Sequence, residues 1–163
     1  MDLRENWPVI RATFDASLKS TLHCALGTTG PDGYPHVTPI GHVFLRDDYT
    51  AYYFEAHTKK MPHNLAHNPR VCLLFVNSNR WLWLTSLYRG KFSAPPGMRL
   101  RGVAGARRLA SREEQAAYQA RVRSLRRTKG YALIWKDLDR VRDIHLESVE
   151  PVLYPTMTEG LWR

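Results

Sequence analysis

Fifteen residues near the middle of the chain, HTKKMPHNLAHNPRV from His57 to Val71, gather two lysines and three histidines in what reads as a connection between two strands. His63 and His67 stand four apart, so on a helix they share one face. That spacing alone does not make a zinc site. No glutamate follows His63, and no Cys-x-x-Cys pair occurs anywhere in the chain, so a metal site is not expected. Thr58, Lys59 and Lys60 offer a different chemistry. They lie where the aromatic run AYYFEA (Ala51 to Ala56) gives way to a short helical segment. Two ammonium groups, a hydroxyl and the free N–H groups of a helix start would together neutralise and hydrogen-bond a phosphate. A solvated lysine pair is the plain alternative, and the rest of the chain has to choose.

Other catalytic groupings are missing. There is no Gly-x-Ser-x-Gly elbow, and Asp47-Asp48 reads as a solvated turn. Cys24 and Cys72 sit inside apolar runs and read as small buried residues in a reducing compartment. No protein-borne acid, base or nucleophile is assigned, so an enzyme built on this sequence would take its chemistry from a cofactor. A net charge of +9 favours anionic partners. Nucleic acid is the weaker candidate among them. Arg121, Arg123, Arg126, Arg127 and Lys129 are not interleaved with aromatic residues, and a solvated helix face accounts for them.

The elements that would position these residues follow from pattern. In 163 residues, 44% hydrophobic and 24% charged, one domain (1–163) with its own core is expected. Val9, Ile10, Phe14 and Leu18 have helical spacing over Glu5 to Leu18. Gly30-Pro31-Asp32-Gly33 is a turn between TLHCAL and HVTPIGHVF, which predicts a β-hairpin. Arg46-Asp47-Asp48 then leads to a third strand, TAYYFEA, and the three together predict a β-meander. Met61 to His67 fits a short helix stopped by Asn68-Pro69. VCLLFVN is a nearly continuous apolar run, as in a strand buried on both faces or in a closed barrel. WLWLTSLYRGKFSAPPG reads as a strand followed by an exposed loop. MRLRGVAGARRL reads as another strand, with Gly102 and Gly105 marking a bulge or close approach. Ser111-Arg112-Glu113-Glu114 is a capping box opening a helix to about Arg127. RDIHLESVEPVLY is a last strand carrying Ile144, Leu146 and Val149, with Pro151 indicating an edge or a bulge. Such an order is mainly β, a small antiparallel barrel with helices outside it. No secretory leader is visible and no apolar run approaches the ~20 residues of a membrane span, so a cytoplasmic protein is expected.

From about Thr21 to Val76 the pieces GTTGPDGYPHVTPIGHVF and YYFEAHTKKMPHNLAHNPRVCLLFV resemble, in order and spacing, the FMN-binding split-barrel proteins of the pyridoxamine 5′-phosphate oxidase-like superfamily. MRLRGVAGARRL and its capped helix resemble that family's later strand and helix. The resemblance implies a six-stranded antiparallel split barrel with flanking α-helices, a homodimer with FMN between subunits, and an oxidoreductase acting on a small molecule with a nicotinamide donor. It places His36, Thr38, Pro39 and Ile40 along the flavin ring and Thr58, Lys59, Lys60 and Asn64 at its phosphate. Asn77 and Ser78 are implied as further contacts, and Trp83, Arg99 and Arg101 as contacts from the partner subunit. Departures are visible too. The family often has Ser-Arg-Lys where this chain has Thr-Lys-Lys, and Leu161-Trp162-Arg163 lacks the oxidase's substrate-binding surroundings, so pyridoxamine phosphate oxidation is not expected. Relatives on the same barrel leave FAD, a deazaflavin or haem as alternative cofactors. A non-catalytic flavin- or haem-binding protein is the other reading, with His23, His36, His42 or His57 as an axial ligand.

Overall fold

The computed structural model describes residues 1–55, 59–134, 136 and 138–162. Its elements run α1 (Trp7–Thr21), β1 (Cys24–Thr29), β2 (Pro35–Ile40), β3 (Val43–Leu45), β4 (Thr50–Phe54), α2 (Lys60–His67), β5 (Arg70–Val76), α3 (Arg80–Arg89), β6 (Gly97–Leu109), α4 (Arg112–Arg121), α5 (Lys129–Ile134) and β7 (Arg140–Pro151), with a 3-10 turn at Arg123–Leu125. The seven strands are all antiparallel and ordered β2-β1-β5-β6-β7-β4-β3. Laid flat, the outer strands β2 and β3 would stand about 29 Å apart. Yet only Gly41 and His42 join them, a reach of about 10 Å. The sheet therefore has to curl until its edges approach, which is the split barrel.

That corner is where the sequence reading needs correction. HVTPIGHVF, expected as one strand, breaks at Gly41-His42 into β2 and β3, giving seven strands where six were expected. A Cβ on Gly41 would lie 2.8 Å from the Leu22 carbonyl oxygen, so only glycine lets the chain turn there. The meander is replaced by two hairpins at opposite edges, β1–β2 and β3–β4.

The barrel interior is filled by the alternate residues of every strand, Leu26, Leu73, Phe75, Leu100 and Ile144 among them. Helix α1 closes one end by inserting Ile10 and Phe14, the latter edge-on to Phe75. Outside, Tyr118 of α4 and Val122, which caps that helix, lie on Phe44, Tyr52, Phe54 and Val141. Its capping box is formed as expected: the Glu114 amide donates to Ser111 Oγ (3.2 Å) and the Ser111 amide to Glu114 Oε2 (2.8 Å). Glu114 and Asp143 are then gripped by Arg46 and Arg108 at 2.6–2.9 Å, a balanced clasp of two cations and two anions. The helix stops at Arg121 rather than Arg127, and a separate short helix, α5, follows.

WLWLTSLYR is helix α3, not a strand. Asn79 Oδ1 accepts from the amides of Trp81 and Leu82, and Gly90 ends the helix at φ 65°. Strand β7 lies inside the sheet order, not at an edge, and Pro151 is its last residue, so no ladder bond is lost mid-strand. The bulge falls earlier. Arg101 pairs with Ser148 but Gly102 with Leu146, and skipping Glu147 switches the inward positions from Ile144 and Leu146 to Val149. Gly102 makes the expected close approach, since a Cβ there would meet the His145 carbonyl oxygen at 2.2 Å. Among the described residues, no helix is long and apolar enough to cross a membrane.

Candidate functional site

Helix α2 is short because Asn68-Pro69 ends it, and it is seated by Met61, Asn64 and Leu65, an i, i+3, i+4 set that is fully buried. Asn64 Nδ2 donates to Thr28 Oγ1 at 3.0 Å, and the Thr28 hydroxyl in turn reaches the His36 carbonyl at 3.5 Å. A Cβ on Gly30 would lie 2.7 Å from Asn64 Oδ1, so the hairpin turn closes down on the helix. Asn64 thus pins α2 to the hairpin, and its Oδ1 has no hydrogen-bond partner among the described residues.

This packing leaves the start of α2 exposed beside the β1–β2 turn. Lys59 is the N-cap residue and makes no side-chain cap; no acidic residue lies in the first turn. Among the described residues no side chain accepts from the Lys60 or Met61 amides, which a helix start leaves unpaired. Lys60 Nζ lies 3.6 Å from Asp32 Oδ2 with both side chains about half exposed, a weak pairing. Thr58, with Ala56 and His57, lies outside the described residues. Just before them, Glu55 is buried and bound by Arg142 and by Arg107 Nε (3.1 Å).

Strand β2 runs alongside at the edge of the sheet order, and among the described residues it pairs only with β1, which leaves one side of its backbone unpaired. His36, Thr38 and Ile40 share one face, with His36 Nε2 3.2 Å from Thr38 Oγ1. Pro39 stands on the other face with Pro35 and Val37, all exposed. Lys60, Asn64, His36 and Thr38 are therefore brought into one neighbourhood through Thr28. The structure also adds Thr28, which the sequence reading passed over, and Gly30 and Asp32, which it read only as turn residues. The inward parity of Thr28 with Leu26 was the available signal for the first of them.

Asn77, Ser78 and Trp83 are not part of that corner in the same chain. They follow the far end of β5, a strand length of about 20 Å away. The Ser78 amide donates to Ser20 Oγ (2.9 Å), and Trp83 Nε1 to the Asn77 carbonyl (2.7 Å). Arg99 and Arg101 project from the outer face of the sheet. Register places them in two cross-strand rows, Pro39–Ala25–Leu74–Arg99–Glu150 and Val37–Gly27–Cys72–Arg101–Ser148. Both arginines bind Glu150, Arg99 at 3.1 Å. The middle of this face is small and apolar and its margin is charged. Cys72 belongs to it and is half-buried, not part of the core as expected.

Two other groups are silenced by burial. The Cys24 thiol is pushed up to about 12 by desolvation and is no nucleophile at neutral pH. His42 is pulled down to about 4 by burial, with the nearby Arg121 charge adding to it, so its ring stays neutral.

Sequence comparison decides the family. The family model described as pyridoxamine 5′-phosphate oxidase matches residues 10–145. The chain belongs to the pyridoxamine 5′-phosphate oxidase family. No curated protein matches it. Solved structures of the same fold include an FMN-binding protein from Syntrophomonas wolfei subsp. wolfei (14% identity, TM-score 0.60, covering 93% of this chain and 95% of that one). An F420 reductase (16%, TM-score 0.53, 84% and 95%) and HutZ, the heme storage protein from Vibrio cholerae (13%, TM-score 0.56, 88% and 92%), are similar too. At these identities the likeness to solved structures establishes the fold alone. The pyridoxamine 5′-phosphate oxidase barrel is thus shared by proteins named for three different cofactors.

Proposed function

We propose that this family member holds FMN between two copies of the chain and works as an oxidoreductase, passing hydride or electrons between a nicotinamide donor and a small substrate. The observation that carries the reading is the start of α2: an uncapped, doubly basic helix end beside an unpaired sheet edge. Orphan amides and two exposed ammonium groups suit a phosphate dianion, and a bare strand edge suits the polar rim of a flat ring. When bound, the flavin supplies the redox chemistry.

The chain's own residues then have distinct tasks. Lys59 and Lys60, with Thr58 beside them, neutralise the phosphate. Free backbone groups of β2 hydrogen-bond the ring's edge, His36 and Thr38 line it, and Pro39 and Ile40 shape the strand. The apolar outer face with its charged margin has the make-up of an interface, and a second copy packed there would bring its Arg99 and Arg101 toward the cofactor. No side chain is assigned as acid or base. Asn77, Ser78 and Trp83 are left out of the phosphate corner by their distance.

The test is spectroscopic. Protein incubated with FMN and passed over a sizing column should emerge yellow, as a dimer, and the flavin bands should bleach under a nicotinamide donor. A Soret band on the purified protein with no uptake of FMN would turn the reading to haem binding on the same barrel. Retention of F420 in place of FMN would turn it to a deazaflavin.

A further inference from the structure

Helix α3 is apolar on two opposite sides. It is seated on the barrel by Ser86, which is buried, and by Trp83, whose ring meets Phe92 and Tyr154 edge-on at 5.2 and 5.5 Å. A surface helix seated in this way ordinarily turns charged and polar residues outward. Here Trp81 (76% exposed), Leu84 (55%) and Tyr88 (94%) form a stripe at i, i+3 and i+7 on the face away from that seat, with Leu87 (64%) beside it. Leu153 is exposed too, next in the chain to the Tyr154 ring on which Trp83 packs. A single exposed apolar residue is ordinary, but this many large ones on the crest of one short helix make a patch.

Charge decides what covers it. Arg80 and Arg89 stand at the two ends of α3 and Lys91 follows it, and among the described residues none of the three enters an ion pair. Glu159 lines a crease with Arg89 and Lys91 but bonds to neither. The helix carries no carboxylate, and from Ala56 to Arg112 the sequence has no aspartate or glutamate. A second copy docked through the same face would bring basic helix ends together with nothing there to neutralise them. The patch is also a ridge rather than a pocket, so it encloses no small ligand. An aliphatic crest, amphipathic Trp and Tyr rings near its two ends and unpaired arginines at its flanks suit the headgroup layer of an anionic bilayer.

We propose that the outward face of α3 docks this protein on the surface of a membrane rich in anionic phospholipid. Leu84 and Leu87 enter the acyl boundary, the Trp81 and Tyr88 rings lie at headgroup depth, and Arg80, Arg89 and Lys91 meet lipid phosphates. No spanning segment is involved. The surface is separate from the lysine corner, because α2 precedes β5 and α3 follows its other end.

Flotation of the purified full chain with lipid vesicles tests this. Phosphatidylcholine vesicles with about one-third phosphatidylglycerol should carry the protein upward, and phosphatidylcholine alone should hold it about tenfold or more weakly. Raising salt from about 0.05 to 0.5 M should release it. Trp81→Ser with Tyr88→Ser should weaken binding about tenfold or more, and Arg80→Gln with Arg89→Gln about fivefold or more. Both variants should keep the thermal midpoint, the sizing-column mass and the FMN uptake of the unaltered chain, which separates this surface from the flavin site. The proposal is overturned if no protein floats at about 1 mM anionic vesicle lipid, where even one acyl chain would anchor a protein. Equal binding to phosphatidylcholine alone overturns it too, as does undiminished flotation of the aromatic variant, since another surface would then be responsible. A fall in oligomeric mass in that variant would give the face to a second copy and likewise overturn it.

Discussion

Two clusters of cations in this molecule behave differently. On the outside of the barrel, Arg46 and Arg108 are matched by Glu114 and Asp143, every carboxylate oxygen of the pair engaged at 2.6–2.9 Å. At the start of α2, among the described residues, Lys60 has one half-exposed partner, Asp32 at 3.6 Å, Lys59 has no ion pair, and the helix start is uncapped. The first cluster is complete within the chain and fastens α4 to β6 and β7. The second is incomplete, and its charge is directed outward. Matched charge holds the fold; unmatched charge, next to unpaired backbone, is what a ligand can use.

The largest effect expected from this contrast is on binding. Lys59→Ala with Lys60→Ala should weaken FMN binding by about 1.5–3 kcal/mol for each lost contact, with the thermal midpoint unmoved, as measured by fluorescence titration and calorimetry. Breaking the other cluster should do the reverse. Glu114→Ala removes both a cap and the partner of two arginines, and should cost about 2 kcal/mol in urea unfolding while FMN affinity stays the same.

A smaller effect concerns pH. Unfolded, His42 takes a proton near 6.5; folded, its ring resists protonation until about 4. The unfolded state therefore binds more protons in that window, and stability should fall by about 2–3 kcal/mol as pH drops from 6.5 to 4. Glu114 is held down at about 2 by the Arg108 hydrogen bonds foremost, so its contribution, full above the ordinary 4.5, is lost below that. Unfolding midpoints against pH should show two descents, and His42→Gln should remove only the upper one. The smallest effect is at Asp32. Asp32→Asn should change stability by under about 0.5 kcal/mol, because the Lys60 pairing is long and solvated. A larger loss would place that lysine among the matched cations and weaken the contrast.

What the sequence made legible was local. The hairpin turn at Gly30–Gly33, the arrest of α2 at Asn68-Pro69 and the Ser111 capping box each depend on residues within a few positions of one another. The strand break at Gly41 depends on Leu22 passing underneath, a contact of the folded barrel with no local signal. Helix α3 was misread because Trp, Leu and Tyr suit a strand, although Asn79 before it and Gly90 after it are ordinary helix boundaries. At the site, the basic turn was visible as residue types, but the role of Asn64 was not. Its burial against Thr28 and Gly30 comes from packing between elements distant in sequence.

The central claim is that a phosphate dianion docks on Lys59 and Lys60, and comparing FMN with riboflavin in the same titration tests it most directly. The two share a ring and differ in that one group. Binding of FMN tighter than riboflavin by about 100-fold or more, with the preference lost in the double alanine variant, is the result expected. Equal affinity for the two, or a preference that survives loss of both lysines, would contradict it.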